Sequence, residues 1–298
     1  MHSKNLTENL NIQIILYFSS KYLDSLLKSI RSLNDGGYSS IVFNFVDQSE
    51  NEKEYEKVKN KIQKFSEILP SKFNIKLTKQ KNYGFGKGHN KIYQQNKHDY
   101  GDYFIIINPD SILHHDLLHK ISRYLEFLKH SNWGMLELEQ FPNEHPKFFN
   151  PYTLETNWVS CAGAIINSTA FDQIGMFDEN IFMYGEDVDL SIRMRMNSYK
   201  ILHLPEAKFT HLTKDTDVSE ESTFTRVHKQ AAELYLRYKF GENSDVDKYL
   251  KLIGPMDPNR TEIIEKYYKM KEKGIKRTPF SKFVNHKTQD YTNFRWSM

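Results

Sequence analysis

Short apolar runs alternate with amphipathic segments along the first part of the chain. The first run, residues 12–17, is almost entirely apolar, as expected of a strand covered on both faces. Leu23, Leu26 and Leu27 then recur at helical spacing, and glycines at 36–37 end that segment. Further strands are predicted at residues 41–46, 73–77 and 103–107, and further helices at residues 52–68, 89–96 and 115–128. This alternation predicts an α/β fold with a mainly parallel, mixed sheet and right-handed crossovers.

The second half of the chain is less regular. Residues 131–160 are rich in aromatic residues and proline, which is typical of aromatic loops or of an antiparallel edge. Residues 204–211 form one more strand-like piece. Helices are predicted after it at roughly residues 220–239, 245–253 and 259–273. We therefore expect two parts, a sheet-bearing domain over residues 1–214 and a helical extension with a basic, aromatic tail over residues 215–298.

Composition and charge exclude several classes of protein. A net charge of only +3 over 298 residues predicts no nucleic-acid partner. Cys161 is the only cysteine, so an intrachain disulfide is excluded and a reducing compartment is favoured. The first twenty residues lack the apolar core of a secretory signal, and no run approaches the roughly 18 apolar residues that span a bilayer. These features predict a soluble, cytoplasmic protein.

Positive charge is concentrated at the C-terminal end. Residues 269–298 contain eight Lys or Arg against two acidic residues, together with five aromatic residues. This mixture favours contact with anionic lipid headgroups, which would place the protein peripherally on the cytoplasmic face of the inner membrane. The same composition is equally typical of a solvated tail, and the sequence leaves both interpretations open.

Two aspartates directly follow predicted strands. Because ligands bind at the carboxyl ends of parallel strands, Asp47 is a candidate to accept hydrogen bonds from a ribose or a base. Asp110 follows Pro109, which restricts the turn and favours a fixed metal ligand. Each aspartate is also typical of a turn or a helix cap, and that alternative stays open. The segment after the first strand, residues 17–20, contains no glycine, so neither a dinucleotide fingerprint nor a Walker loop is present there.

Residues 82–90 contain three glycines at alternate positions, Gly84, Gly86 and Gly88. Glycines let a backbone approach a ligand closely, and Lys87 could add charge for a phosphate. The alternative is a flexible loop before the helix that follows. The segment lies between the third and fourth predicted strands, at the same edge of the sheet as the two aspartates.

The densest group of acids comprises Glu186, Asp187 and Asp189. If a helix starts at Glu186, Asp187 and Asp189 project about 200° apart around it. Asp189 lies four residues before Arg193, the spacing of an intrahelical ion pair. Glu186 and Asp187 fall in the first turn, where free N–H groups favour carboxylates, and Asp187 is also a candidate general base that faces the cleft. His211 ends the strand-like piece that follows and is a candidate ligand.

Taken in order, these motifs resemble those of the family 2 glycosyltransferases, in particular the rhamnosyltransferase-like branch that builds bacterial surface polysaccharides. The resemblance covers about residues 11–213. Its elements in chain order are Val46-Asp47-Gln48-Ser49, the glycine segment from Asn82 to Asn90, Asn108-Pro109-Asp110, Gly163-Ala164, Ile174-Gly175-Met176-Phe177-Asp178-Glu179, Tyr184-Gly185-Glu186-Asp187-Val188-Asp189-Leu190, and His211. The ordered series, rather than any single element, carries the resemblance.

The resemblance implies a GT-A-type nucleotide-binding fold and transfer of a sugar, with inversion, to a hydroxyl of a glycan or lipid-linked glycan. It implies dTDP-rhamnose, or a UDP-hexose, as the nucleotide-sugar donor, with Asp187 as the general base. A Mn²⁺ or Mg²⁺ ion would be held by Asp110 and His211, a ligand set that suits either ion. The implied donor contacts are Asp47, Asn82, Gly84, Phe85, Gly86, Asn90 and Asn108. The implied acceptor side consists of Trp158, Gly163, Ala164, Tyr184 and Glu186.

Two positions depart from the family pattern. Gln48 replaces the usual asparagine and Met176 the second glycine, and each change either shifts donor preference or merely repacks the protein. The last 85 residues match no motif of the family. Two alternatives remain: an inert subunit that binds nucleotide sugars or glycans, and a sugar nucleotidyltransferase. The first is disfavoured because Asp110, Asp187 and His211 are all present, and the second because no glycine-rich, basic loop follows the first strand.

Overall fold

The computed structural model describes residues 9–142, 149–212, 222–273 and 277–278. Within these ranges the chain forms an eight-stranded sheet in the order β3-β2-β1-β4-β7-β6-β8-β5. The strands are β1 Asn9–Leu16, β2 Ser40–Asp47, β3 Phe73–Lys79, β4 Tyr103–Ile107, β5 Ser111–Leu113, β6 Trp133–Phe141, β7 Gly163–Asn167 and β8 Lys200–His211. The helices are α1 Leu23–Ser32, α2 Glu52–Ser66, α3 Phe85–Gln95, α4 Leu117–Phe127, α5 Ser168–Gln173, α6 Glu186–Met196, α7 Thr223–Phe240, α8 Asn243–Ile253 and α9 Arg260–Lys271.

The N-terminal half of the sheet is parallel. β1 pairs with β2 and β4, and β2 pairs with β3, all in parallel. Every residue of β4 is buried, which explains why this strand is a continuous apolar run. Leu23, Leu26 and Leu27 of α1 join the largest apolar core against this half. The predicted mixed, mainly parallel sheet is confirmed, and the carboxyl ends of β1, β2 and β4 meet at one edge.

The other half of the sheet mixes directions. β7 is antiparallel to both β4 and β6, β6 is parallel to β8, and β5 is antiparallel to β8. The prediction of loops or an edge over residues 131–160 is wrong for β6, which is an interior strand with seven of its nine residues buried. Its neighbours are distant in sequence, so local composition did not reveal them. β5 and α5 are too short to show a periodic pattern and were not predicted.

Helices α7, α8 and α9 follow the sheet, as the periodicity after Thr213 predicted, and α7 contacts both of the others. An apolar cluster joins α7 to α6, with Val188 and Ile192 on α6 and Val227 and Leu234 on α7. The helix that begins with the acidic cluster is therefore covered by the C-terminal helices. The division into two domains near residue 214 stays a prediction.

Most of the basic, aromatic C-terminal segment lies outside the described residues, so its contact with lipid stays a prediction. Arg277 is described, and it donates to the carbonyl oxygens of Tyr238 and Gly241 at 2.7 and 3.0 Å. None of the helices in the described ranges is long and apolar enough to cross a bilayer.

Candidate active site

Asp47, the last residue of β2, is 3% exposed at the carboxyl edge of the sheet. Its Oδ1 atom accepts from the hydroxyl and the backbone N–H of Ser49 at 2.5 and 3.4 Å. Burial raises the pKa of Asp47, and the bonds from Ser49 act against that rise. The bonds form an Asx-type turn, so the turn alternative describes this residue correctly. A donor contact at Asp47 stays a prediction.

The glycine segment starts a helix rather than a flexible loop. Gly84 has a φ of +79°, and a Cβ atom there would lie 1.9 Å from the carbonyl oxygen of Phe182. Its N–H donates to the side chain of Asn82 at 3.1 Å, and the N–H of Phe85 donates to the Phe182 carbonyl at 3.0 Å. The Phe85 ring packs against His89 at 4.5 Å. Helix α3 therefore begins at Phe85 rather than at the predicted residue 89, because the carbonyl group of Phe182 caps the helix.

Gly86 and Gly88 make room for protein atoms. A Cβ atom on Gly86 would lie 2.9 Å from the Cβ atom of Phe177, and one on Gly88 would lie 2.1 Å from Nε2 of Gln48. Gln48 is 1% exposed and donates to the Gly84 carbonyl oxygen at 3.4 Å. These glycines thus allow α3 to pack closely, with Gln48 beneath it, and a donor contact at Gly84 or Gly86 stays a prediction.

Asn90 is 1% exposed, and both ends of its amide bond the backbone of Phe177, at 2.9 and 3.0 Å. It therefore fixes the loop that precedes α6, and the donor contact at Asn90 stays a prediction. Lys87 pairs with Glu179 of the same loop at 2.9 Å rather than presenting an uncompensated charge for a phosphate.

Asp110 and His211 are brought together by strand pairing across 101 positions of the sequence. β5 pairs with β8 so that Ser111 is opposite His211. Asp110 directly precedes Ser111, and its Oδ2 atom lies 3.2 Å from His211 Nε2. His211 Nδ1 donates to the side-chain oxygen of Gln140 at 3.1 Å. That bond orients the ring so that Nε2 faces Asp110.

These residues fit a divalent cation. Two acceptors that face each other at 3.2 Å need a proton or a cation between them, and a carboxylate with an imidazole suits Mn²⁺ or Mg²⁺. No group of three His, Cys, Asp or Glu side chains suited to a metal occurs within the described residues. The described residues would supply two ligands, Asp110 and His211, and substrate phosphates and water commonly complete the shell of such an ion.

Helix α6 starts from a strained backbone. Tyr184 and Gly185 both have positive φ, +67° and +84°. A bulky residue in this region is an outlier that the surrounding structure must hold in place, and such strain clusters at functional sites. The Tyr184 hydroxyl lies 3.2 Å from the hydroxyl of Thr225 on α7, which helps to hold the turn.

Two adjacent carboxylates occupy the first turn of α6. Glu186 is 5% exposed, and its Oε2 atom has no hydrogen-bond partner within the described residues. Burial, and then the charge of Asp187, raise the pKa of Glu186 to about 8, so this side chain is largely protonated at neutral pH. Asp187 is half-buried and accepts from the N–H of Cys161 at 3.4 Å. A neutral acid therefore stands beside a more accessible carboxylate.

The segment 161–162 links both parts of the site. The Cys161 N–H points to Asp187, and the Ala162 carbonyl accepts from the N–H of Asn108 at 2.9 Å. Asn108 is two residues before Asp110. The predicted base and the predicted metal ligand therefore flank one short stretch of β7 and its approach.

Asp189 is structural, as predicted. It is fully buried and accepts from Arg193 at 2.7 Å, the predicted i,i+4 ion pair. It also accepts from Lys239 of α7 at 2.5 Å, and Lys239 bonds Asp178 at 2.7 Å. The helix that carries Asp187 is thereby tied to α7 by a buried charge network.

No protein-family model matches the chain. The rhamnosyltransferase WbbL of Escherichia coli is 23% identical over 211 residues, which cover 58% of this chain and 78% of the relative. The N-acetylglucosaminyl-diphospho-decaprenol L-rhamnosyltransferase of Mycobacterium tuberculosis is 28% identical over 86 residues, 29% of this chain and 28% of the relative. The predicted resemblance to the rhamnosyltransferase-like family 2 glycosyltransferases is confirmed.

Solved structures confirm the fold of this glycosyltransferase. The mannosyltransferase PcManGT of Pyrobaculum calidifontis superposes with a TM-score of 0.54 at 10% identity, over 88% of this chain and 73% of that one. Residues 1–349 of TarS from S. aureus give a TM-score of 0.51 at 12% identity, over 94% and 77% of the two chains. The predicted GT-A-type fold is confirmed.

The predicted acceptor side of the glycosyltransferase is only partly accessible. Ala164 is fully buried in an apolar core, and an acceptor contact there stays a prediction. Gly163 is buried, and a Cβ atom on it would lie 2.4 Å from the Phe209 ring. Trp158 is 8% exposed and packs in the cluster between α6 and α7. Of the remaining two residues, Tyr184 is half-buried and Glu186 is nearly covered.

Met176, the second departure from the family pattern, has a φ of +64°. The glycine that the family uses at this position is explained by that left-handed backbone, which glycine adopts without strain. The Met176 carbonyl accepts from Arg193 at 2.6 Å, so the turn is held to α6. The substitution is accommodated within the loop that Asn90 fixes.

A buried cluster of Glu137, Glu139 and His203 was missed at the sequence level. His203 Nε2 lies 2.7 Å from Glu139 and Nδ1 lies 3.6 Å from Glu137, while Glu137 accepts from the N–H of Ser160 at 3.1 Å. Burial lowers the pKa of His203, but the two carboxylates outweigh it and the net shift is upward. The cluster thus anchors the segment that reaches Asp187. The available signal was two glutamates at alternate positions of an otherwise apolar run.

Proposed function

We propose that this glycosyltransferase is an inverting, metal-dependent enzyme that moves rhamnose from a nucleotide-diphosphate donor to a hydroxyl of a glycan or lipid-linked glycan. The proposal rests on the groups that flank segment 161–162. The Asp110–His211 pair lies on one side of the segment, and Asp187 lies on the other. A site for a cation and a separate carboxylate base are the two groups that such a transfer needs.

The chemistry follows from these positions. Asp187 would accept the proton of the acceptor hydroxyl as its oxygen attacks the anomeric carbon. The bond from that carbon to the diphosphate breaks on the opposite face, and the nucleoside diphosphate leaves with the electron pair. A cation held by Asp110 and His211 would stabilise the negative charge that develops on the diphosphate. Because no covalent sugar–enzyme intermediate is formed, one base suffices.

Rhamnose is favoured because both relatives are named as rhamnosyltransferases. We therefore place dTDP-rhamnose first among donors and UDP-hexoses second. The mycobacterial relative is named for an N-acetylglucosaminyl-diphospho-lipid acceptor, so glycosides of N-acetylglucosamine are the first acceptors to test. A cytoplasmic location and a contact with the membrane surface remain predictions.

Asp187→Asn tests the proposal. Loss of a general base typically lowers turnover about 10²- to 10⁴-fold, so transfer should fall by at least about 10² while donor binding persists. Transfer is measured with radiolabelled donor and Mn²⁺, and donor binding by the thermal shift that the donor produces. Asp116→Asn changes an exposed aspartate at the start of α4 and serves as the matched control.

Near-wild-type turnover in Asp187→Asn would remove Asp187 as the base. Donor binding without transfer in the wild-type protein, across all donors and acceptors, would favour the inert binding subunit. Formation of a nucleotide sugar from a sugar phosphate would favour the nucleotidyltransferase.

A further inference from the structure

An aromatic cluster lies beside the start of α6 and outside the predicted site. It comprises Phe182 from the turn before α6 and Phe224 and His228 from α7. The ring centroids of Phe224 and His228 are 4.0 Å apart, and Phe182 lies 6.5 Å from Phe224 and 5.6 Å from His228. Phe224 is 51% exposed, while the other two are half-buried. The cluster therefore offers aromatic surface to solvent above two half-buried rings.

The cluster has polar groups at its margin. His228 Nδ1 donates to the Phe224 carbonyl at 2.8 Å, which leaves Nε2 as an acceptor. Burial lowers the pKa of His228, and this keeps the imidazole neutral at neutral pH. The paired hydroxyls of Tyr184 and Thr225 lie next to it along the chain. Aromatic faces with a few placed hydrogen-bonding groups are typical of small-ligand sites.

The position of the cluster connects it to the reaction. The carbonyl of Phe182 caps α3, the helix of the glycine segment, and Asp187 follows Phe182 by five residues. At 3.8 Å per residue the two Cα atoms are at most about 19 Å apart, and the left-handed turn at Tyr184 and Gly185 shortens that span. A glycan of a few sugars is long enough to span that distance.

We propose that Phe182, Phe224 and His228 form an acceptor subsite that packs against the apolar face of a pyranose ring, one or two sugars from the reacting hydroxyl. The subsite rests on the proposed function, since it assigns part of the acceptor of that reaction. Burying the C–H face of a sugar on an aromatic ring removes apolar surface of both from water, and His228 Nε2 can accept from a ring hydroxyl.

A sugar fits this surface better than a lipid chain does. A polyisoprenoid needs a continuous apolar groove, whereas Ser222, Thr223 and Lys229 are exposed around Phe224 on α7. The single half-exposed ring and its polar margin match a ligand that is apolar on one face and hydroxylated at its edge.

Saturation-transfer NMR on the full chain tests the subsite directly. The probes are methyl glycosides of glucose, galactose, N-acetylglucosamine and rhamnose, together with decyl N-acetylglucosaminide. With the wild-type protein we expect saturation of the sugar ring protons. This saturation should fall at least about threefold in Phe224→Ala and persist in Phe224→Trp. The matched control is Phe127→Ala, which removes a ring that is 82% exposed at the end of α4. In transfer assays Phe224→Ala should raise the acceptor KM about tenfold, because the sugar no longer buries part of a Phe side chain. The value of kcat should not change.

Unchanged ring-proton saturation in Phe224→Ala would overturn the subsite and leave the proposed function standing if Asp187→Asn still abolishes transfer. Loss confined to the alkyl protons of the decyl probe would assign the surface to a lipid chain and overturn the sugar assignment. If the wild-type protein transfers no sugar, the proposed function fails and with it the acceptor role. The NMR comparison then still decides whether the cluster binds sugars.

Discussion

Replacing Lys239 by methionine tests how α7 is held on the helix that carries Asp187. The Lys239 ammonium lies 2.7 Å from Asp178 and 2.5 Å from Asp189, and the three side chains are at most 8% exposed. Asp189 would keep its bond from Arg193 in the variant. Asp178 would keep only hydrogen bonds from the Tyr235 hydroxyl and a backbone N–H, without a cation.

The cost follows from the burial of this network. Removing one partner of a buried ion pair typically costs about 3–5 kcal/mol, because the remaining charge stays desolvated. We expect a loss at the lower end, about 3 kcal/mol, since Asp178 retains its hydrogen bonds. With a urea m-value of about 3 kcal/mol/M, the unfolding midpoint should fall by about 1 M.

The loss should depend on pH. Burial raises the pKa of Asp178, but Lys239 outweighs it, and the net pKa lies below the usual value of 3.8. A depressed carboxyl pKa contributes stability above the unfolded pKa, and that contribution is lost as the pH falls through the folded pKa. The difference between Lys239→Met and the wild-type protein should therefore be larger at pH 7 than at about pH 3.

Urea unfolding followed by tryptophan fluorescence measures both effects. Lys59→Met is the matched control, because its partner Glu56 is 3.5 Å away and both side chains are more than 40% exposed, so the change should stay within about 0.5 kcal/mol. Adding Asp178→Asn to Lys239→Met should recover part of the loss, since the amide needs no counter-charge. A Lys239→Met variant as stable as the control would refute the reasoning.

Three further predictions concern the site itself. His211→Gln should raise the Mn²⁺ concentration for half-maximal transfer at least about tenfold. The exposed control His98→Gln should leave that concentration unchanged. The same half-maximal Mn²⁺ concentration in both variants would assign the ion elsewhere. Gly84→Ala should lower the free energy of unfolding in urea by more than about 2 kcal/mol, because its Cβ atom would overlap the Phe182 carbonyl and its φ is positive. A decrease below about 0.5 kcal/mol would contradict this. The stability that Glu186 contributes should fall as the pH rises from about 4.5 to about 8, since the folded side chain keeps a proton that the unfolded chain releases. The difference in unfolding free energy between the wild-type protein and Glu186→Gln isolates this contribution, and a difference that stays constant with pH would contradict it.

Local pattern predicted the elements whose burial is periodic. β1, β2 and β4 were found because strands covered on both faces are apolar nearly throughout. β3 lies at the edge of the sheet and was found from its alternation of apolar and polar residues. The Asp189–Arg193 pair was found because residues four apart on a helix are neighbours. The order of the family motifs identified the fold before any contact was known.

Patterns that depend on distant neighbours were not predicted correctly. The interior position of β6 is set by β7 and β8, which follow it in the chain by more than twenty residues. The burial of Ala164 and Asn90 depends on segments distant in the chain, an apolar core for Ala164 and the Phe177 backbone for Asn90, so motif order alone did not reveal it.

The sequence by itself determined the fold class and the resemblance to family 2 glycosyltransferases. It also separated the acidic cluster into Asp189, which pairs within the helix, and Asp187, the candidate base. Only the tertiary structure decided that Gly84, Gly86 and Gly88 serve packing, that Lys239 completes the charge network of Asp189, and that Phe182 meets Phe224 and His228. The physical reason is that helix and strand periodicity is written in neighbouring residues. The partner of a buried charge, a glycine or an aromatic ring is set by close packing between segments that are far apart in the chain.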